Sequence, residues 1–428
     1  MDTTPKGNRL HIGIFGRTNV GKSSLMNFLV GQDIAITSPI AGTTTDIVEK
    51  AVELLPLGPV LFLDTAGIDD TSALSGLRMK KTYKIYDRAD VILLVTEPEI
   101  WTNYEEAVLI EAGKRKIPTL IVINKIDLQL PSDSFLRHLK ERSERVIALS
   151  SVDWKERDFS VELLKRHIIE VSPDDFIQTP SLIGDLLPPG GLAVLVVPID
   201  LQAPKGRLIL PQVQTIRDAL DCDAAVLIVK ERELSPALAT LNHSPDIVVC
   251  DSQAILKVSA DVPNSVPCTT FSILFARQKG DLVSATVGVT RIEELNPGDK
   301  ILIAEACSHH PLQDDIGRVK IPRWLRQYVG AEIQVDVSSG RNYPNNLNEY
   351  KLIIHCGACM LTRREMLNRI QRAKEAQVPI TNYGIAISFL QGVIRRTLSP
   401  FPSALTAYEK KMDAISRRSE VIHENDGK

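Results

Sequence analysis

A chain of 428 residues is too long for one core of ordinary size; its length suggests two to four domains, and three are expected. A composition that is 44% hydrophobic and 24% charged excludes a disordered chain, and apolar stretches such as Leu192–Val197, which stops at Pro198, are too short to span a bilayer. With 50 basic and 53 acidic residues the chain is nearly neutral, so neither nucleic acid nor an anionic membrane is expected as an obligatory partner.

The first ten residues, MDTTPKGNRL, lack the apolar core of a secretory segment, which gives a cytoplasmic expectation. Short apolar runs then alternate with helical patterns: HIGIFG, SSLMNFLV, PVLFLDT, DVILLV, EEAVLIEAGK, PTLIVINK and RVIALS. Strands alternating with helices predict a parallel sheet covered on both faces over residues 1–172. The stretch from Ser172 to Gly191, with SPDD, TPS and PPGG, breaks the periodicity and reads as a linker. The pattern resumes with LAVLVVPID, QVQTIRDALD, AAVLIVK, ELSPALATL and DIVVCD, a second unit over residues 185–264 that is small for an independent core and therefore expected to self-associate. A third unit over residues 266–405 carries the predicted strands TFSILFA, KILIAEA, EIQVDV and KLIIH. A charged tail, residues 406–428, reads as a frayed helix or disordered.

The strongest motif is Gly16-Arg17-Thr18-Asn19-Val20-Gly21-Lys22-Ser23, with Ser24 following, set between the strand HIGIF and the helical SSLMNFLV. Glycines let backbone N–H groups curl around phosphate oxygens, the helix N-terminus adds its positive end, Lys22 neutralises β/γ oxygens and the Ser23 hydroxyl ligates Mg²⁺. Asp64-Thr65-Ala66-Gly67 follows the strand PVLFL, where an acid reaches the Mg²⁺ shell and the Gly67 amide meets a γ-phosphate. Asn124-Lys125-Ile126-Asp127 resembles the base-reading motif of the translation-factor class of small GTPases: a carboxylate at Asp127 accepts from guanine N1–H and the 2-amino group, a donor pair adenine lacks. Ser150-Ser151 stands where those proteins approach the base. Gly42-Thr43-Thr44-Thr45-Asp46 resembles the switch I of the bacterial GTPases that modify tRNA or assemble ribosomes; Thr44 aligns with the Mg²⁺-completing threonine, while Thr45 replaces the usual arginine. Lys22, Thr44, Asp64 and Gly67 are thus the expected catalytic set. Ile68 stands where a glutamine orients water in other small GTPases, and Asn19 at the position that helps hold a potassium ion in the bacterial relatives. Slow, potassium-stimulated conversion of GTP to GDP is expected, in the manner of a switch.

Six cysteines are too few for a disulfide framework. Cys222, Cys250 and Cys268 are scattered, whereas Cys307-Ser308-His309 follows KILIAEA and His355-Cys356-Gly357-Ala358-Cys359 follows KLIIH, both at carboxyl ends of predicted parallel strands where α/β sheets place their ligands. Three thiolates suit zinc, with His309 or His355 as fourth ligand, or a 4Fe–4S cluster with one open iron, and the residues alone leave both open.

Together the P-loop head, the segment VPIDLQAPKGRLILPQVQTIRDALD and the distal CxH and HCxxC resemble the HydF family of maturation GTPases of iron-only (FeFe) hydrogenases, over residues 8–400. That resemblance implies a GTPase domain at 1–172, a dimerisation domain at 185–264 making a homodimer, and a cluster-binding domain at 266–405. It implies a 4Fe–4S cluster on Cys307, Cys356 and Cys359, with His309, His355, Glu305 or His310 near the open iron. It also implies a scaffold that receives a transient diiron precursor made with two radical-SAM maturases and delivers it to the apo-hydrogenase. A ribosome- or RNA-associated GTPase with a structural zinc is the rival reading. It requires a basic glycine-loop RNA module after residue 170, which is not found, and the run from Arg363-Arg364 to Lys374 reads as a solvated helix face.

Overall fold

The structure, a computed structural model, describes residues 4–31, 48–64, 82–177, 180–199, 206, 208–306, 315–340 and 343–426. The chain divides into two compact units, residues 1–179 and 180–428.

The first unit is a six-stranded sheet of β1 (Leu10–Phe15), β2 (Val48–Leu54), β3 (Gly58–Asp64), β4 (Val91–Thr96), β5 (Thr119–Ile123) and β6 (Val146–Ala148), in the order β2-β3-β1-β4-β5-β6. Every pair is parallel except the edge hairpin β2–β3. All six residues of β1 and of β4 are buried, as continuous apolar runs must be when both sheet faces are covered. One face packs Leu25, Phe28 and Leu29 of the helix Lys22–Val30 with Leu164 and Ile168 of the helix Arg157–Val171. The other packs Phe15, Ile92 and Leu94 against Tyr86, Val108 and Ala112.

The second unit holds two four-stranded sheets, both wholly parallel. The first has the order β10-β9-β7-β8, from β7 (Leu192–Val196), β8 (Ala225–Val229), β9 (Ile247–Cys250) and β10 (Cys268–Thr270). The second has the order β12-β11-β13-β14, from β11 (Lys300–Ala304), β12 (Gln334–Ser338), β13 (Leu352–His355) and β14 (Ile380–Asn382). One apolar core runs through both, from Leu182 through Val194, Phe275, Ile303 and Ile385 to Tyr408. The helix Leu282–Val289 lies so close to β14 that a Cβ on Gly288 would sit 2.1 Å from the Ile380 carbonyl oxygen, so only glycine permits the packing.

TFSILFA, expected as a strand, is a helix, Phe271–Lys279, whose N-terminus is capped by the Thr270 hydroxyl accepting from the Ile273 N–H at 3.2 Å. An apolar run buried all round carries no period that separates strand from helix, and here the cap decides. Tyr408, read as the start of a frayed or disordered tail, lies inside a 25-residue helix, Pro402–Asp426, and is buried against Phe389.

The start of the second unit is anchored by Asp218 on the helix Leu210–Asp221. One oxygen, Oδ2, accepts from Ser181 Oγ and from the N–H groups of Leu182, Ile183 and Gly184, at 2.7–3.0 Å. Asp218→Ala strands three backbone donors and is expected to cost about 2–4 kcal/mol in urea unfolding of the second unit, with Asp218→Asn costing less.

Candidate functional site

Two candidate sites lie at carboxyl ends of parallel strands, one in each unit. In the first, β1 ends at Phe15 and the chain turns through residues 16–21, with Asn19 in the left-handed region at φ 64°, into the helix Lys22–Val30. Val20 is buried, while Asn19, Ser23 and Ser24 are exposed. The Lys22 ammonium donates to the carbonyls of Gly16 and Arg17, the latter at 2.9 Å, so it lies across the mouth of the loop. Asp64 ends β3 beside Ile14 of β1 and is buried, which brings the Mg²⁺-shell candidate next to the phosphate loop. Thr44, Thr45, Gly67 and Ile68 lie outside the described residues.

Asn124 joins three segments. Its Nδ2 donates to the Val20 carbonyl at 3.0 Å and its Oδ1 accepts from the Ser151 N–H at 3.0 Å. Ser150 and Ser151 are buried, while Asp127 is exposed just past β5. Gly21 at φ 97° leaves room for this amide: a Cβ there would come 2.2 Å from Asn124 Nδ2. Lys125 Nζ meets Glu97 Oε1 at 2.5 Å, and Arg17 Nη2 lies 3.6 Å from the other oxygen of Glu97. Arg17 Nε also donates to the fully buried Glu105 at 2.7 Å. Sequence reasoning missed this acidic pair, although an arginine inside a phosphate loop and a glutamate directly after β4 were signals that could have found it.

In the second unit the register of β11 on β13 sets Ala304 opposite His355. The chain leaves the two strands side by side: the Cys356 N–H donates to the Ala304 carbonyl at 2.9 Å, and the Ala306 N–H donates to Cys356 Sγ at 3.0 Å. Ala306 immediately precedes Cys307, so this bond joins the root of the CxH segment to the CxxC sulfur. Burial pushes the Cys356 thiol up to about 11 in spite of the Ala358 and Ala306 amides, so at neutral pH it keeps its proton until a metal displaces it.

The CxxC loop turns through Ala358 at φ 55°. It ends at Thr362, whose side chain accepts from the Glu365 N–H at 3.1 Å and starts the helix Arg363–Glu375. Lys279, 4% exposed at the end of the helix Phe271–Lys279, donates to the carbonyls of Ala358, Cys359 and Leu361 at 3.5, 3.3 and 2.7 Å. A shallow cleft with room for about 20 Å³ runs beside the loop, lined by Cys356, Gly357, Met366, Ile380 and Asn382 among others.

His355 is fully buried and engaged at both nitrogens: Nδ1 to the Cys356 carbonyl at 2.8 Å, Nε2 to Arg369 Nη1 at 3.0 Å. Burial first, then the neighbouring guanidinium, holds its pKa down to about 3, so the neutral ring donates to Cys356 and accepts from Arg369. Of the two roles expected for it, this geometry matches a holder of the cysteine loop rather than a ligand. Arg369 belongs to the run read as a solvated helix face, yet it is buried. Glu305 is buried as well; its Oε2 accepts from Arg318 Nη2 at 2.9 Å and from Ser339 Oγ at 3.0 Å, while Oε1 has no hydrogen-bond partner among the described residues.

Among the described residues no three His, Cys, Asp or Glu side chains gather as a metal site, and Cys307, His309 and His310 lie outside them. The residues that are described fit a cysteine-held metal group: a sulfur with a backbone donor already on it, and an orphaned carboxylate oxygen two residues before Cys307. Cys250 and Cys268 are core residues of the middle sheet.

Comparison with known proteins matches three successive stretches of the chain. Residues 11–125 match the family model of the 50S ribosome-binding GTPases, residues 182–280 the hydrogen maturase F dimerization domain, and residues 283–400 the hydrogen maturase F tetramerization domain. The tRNA modification GTPase MnmE of Bordetella parapertussis is 40% identical over 120 residues, 28% of this chain and 26% of that protein. The MnmE of Prochlorococcus marinus is 37% identical over 162 residues, 37% of this chain and 34% of that protein. The chain therefore spans only about a quarter to a third of the length of these curated relatives. Among solved structures, Aquifex aeolicus Era bound to GDP and AlF4⁻ matches at TM-score 0.32 and 26% identity, over 38% of this chain and 56% of that one. The G domain of T. maritima FeoB matches at TM-score 0.30 and 22% identity, over 38% and 98%.

The amide of Asn124 is the clearest mutational target. Asn124→Ala leaves the Val20 carbonyl and the Ser151 N–H without their partner, and a fall in GTP affinity of about tenfold to a hundredfold is expected by equilibrium titration, with the melting temperature of the second unit unchanged.

Proposed function

This chain belongs to the hydrogen maturase F family, and on that footing we propose that it is a GTPase scaffold for assembly of the diiron subcluster of iron-only hydrogenase. In this reading it holds a 4Fe–4S cluster on Cys307, Cys356 and Cys359, takes a diiron precursor made with two radical-SAM maturases as cargo, and delivers it to the apo-hydrogenase. The observation that carries the reading is the Ala306 amide on Cys356 Sγ, which ties the CxH and CxxC segments together at neighbouring strand ends. When bound, the cluster supplies an open iron to which a labile donor can coordinate. The chain's own residues do the rest: His355 and Lys279 fix the CxxC backbone, and Glu305 offers a carboxylate oxygen beside the CxH segment. Anaerobic reconstitution of the full chain with ferrous iron and sulfide tests this. Wild type is expected to gain visible charge-transfer absorption and a reduced EPR signal, both lost in Cys307→Ser and Cys356→Ser. Tight zinc at one per chain instead of iron sinks the reading. In the same preparations Lys22→Ala is expected to abolish GTP turnover and leave iron content within error of wild type, because the two motifs belong to separate units.

The GTPase domain binds GTP and GDP with Mg²⁺. In the proposed cycle Lys22 and Asp64 serve the phosphates and metal, while Thr44 and Gly67 sense the γ-phosphate. Asp127, Asn124 and the Ser150-Ser151 pair serve the base. With Ile68 in place of a water-orienting glutamine, hydrolysis is slow, and Asn19 helps seat a potassium ion that supplies charge to the transition state. Turnover is expected to rise at least severalfold in potassium chloride over sodium chloride and to lose that difference in Asn19→Ala; equal rates in the two salts refute the potassium role.

Self-association follows from the two matched family domains. The face proposed for it is the edge strand β8, a row of Ala, Val, Leu, Ile and Val beside the helix Leu210–Asp221. Ile228 is 43% exposed and Leu220 and Val213 are more so, and an open apolar edge of this kind is a template for pairing. Ile228→Glu should lower the mass measured by light scattering to that of a smaller assembly; an unchanged mass removes β8 from the interface.

A further inference from the structure

Burying an ion without a counter-ion costs several kcal/mol, so cations left that way in a folded chain call for a reason. Two such cations flank the CxxC loop. Lys279 and Arg369 are each 4% exposed. Lys279 donates to carbonyls alone, of Ala358, Cys359 and Leu361, with Phe275 under its ammonium at 5.8 Å. Arg369 donates to His355 Nε2 and to the Gly340 carbonyl at 2.8 Å, and stacks on Tyr343 at 5.0 Å. Neither meets a carboxylate within ion-pair distance among the described residues; the buried Glu365 acts on both only through space. Among the buried charges described beside the loop, two cations thus face one carboxylate, Glu365. Of the other described carboxylates near the loop, Glu305 already pairs with Arg318, and Asp281, on the cleft beside Cys356, accepts from Ser284 as the cap of the helix Leu282–Val289.

We propose that Lys279 and Arg369 are the charge-compensating, positioning residues of the cysteine site: they have no carboxylate partner among the described residues because an anionic metal–thiolate group on Cys356 and Cys359 is their counter-ion. The inference rests on the cluster reading above and deepens it by assigning residues the cysteine motifs do not contain. Lys279 comes from residues 182–280 and Arg369 from residues 283–400, so the site draws on both matched domains. Positive charge beside a cluster favours its reduced, more negative state, so removing either charge makes reduction harder.

The test is a redox titration followed by EPR on the full chain, reconstituted anaerobically with ferrous iron and sulfide. Lys279→Met and Arg369→Gln are each expected to move the midpoint potential to more negative values and to lose iron to a chelator severalfold faster. Arg369→Lys, which keeps the charge, is expected to stay near wild type. A merely structural role lowers the melting temperature of the apo-protein and the iron content but leaves the potential of the cluster that does form unchanged; wild-type potentials in both neutral variants overturn the proposal. If Lys279→Met does not fold, the Arg369→Gln and Arg369→Lys pair decides alone, and equal potentials in that pair overturn it too. Wild type that takes up no cluster overturns the underlying cluster reading, a result distinct from a cluster whose potential ignores the two charges.

Discussion

The parallel register of β11 on β13 is the constraint from which the second site follows. It sets Ala304 opposite His355, and from there the chain has one residue to reach Cys356 and two to reach Ala306. Strands in a parallel pair point the same way and lie about 5 Å apart, so two motifs separated by some fifty residues of sequence emerge at one edge without any loop having to search for the other. The hydrogen bond from the Ala306 N–H to the Cys356 sulfur records that meeting. A slip of one residue along β13 would exchange its two packed faces, forcing His355 into the layer now filled by Leu352 and Ile354 and carrying Cys356 to the opposite face. The apolar layer that fixes the register, Ile303 and Ile354 with their neighbours, therefore positions the sulfurs as surely as any residue touching them.

The phosphate loop follows the same rule by different means. β1 and β3 end together, which brings Lys22 and Asp64 near one another, and the base-reading segment after β5 is tied back by a single amide, Asn124. Polar side chains do here what strand register does in the second unit. The Glu97 and Glu105 carboxylates extend that tie, since they hold Lys125 and Arg17 and so connect the base side of the pocket to its phosphate side.

Much of this could be read from residues alone, for a physical reason. Glycine and lysine at fixed spacing, a carboxylate ending an apolar strand and paired cysteines are local signals, and the alternation of apolar runs foretold the parallel sheets. What stayed hidden was set by tertiary context. TFSILFA shows no period because Phe271, Ile273, Leu274 and Phe275 are all buried, and only the Thr270 cap reveals a helix. Arg369 sits among charged neighbours and reads as solvated in sequence, whereas the fold buries it. Lys279 has no motif at all; its part depends on a helix C-terminus meeting a loop some eighty residues away. In sequence Tyr408 reads as the start of a tail because the charges after it outweigh the one aromatic ring that docks.

The core shared by the two parallel sheets bears on how such a chain can be recombined. A gene spliced between residues 280 and 283, where the two matched domains meet, would leave a C-terminal fragment without Lys279 and with Ile385 and Phe389 stripped of their partners, and a middle fragment with Phe275 laid bare. Neither piece would carry a closed interior into a new host protein. The GTPase unit has its own cores and could be exchanged for another nucleotide switch, whereas the two parallel sheets that follow it in sequence share one core and would have to move together.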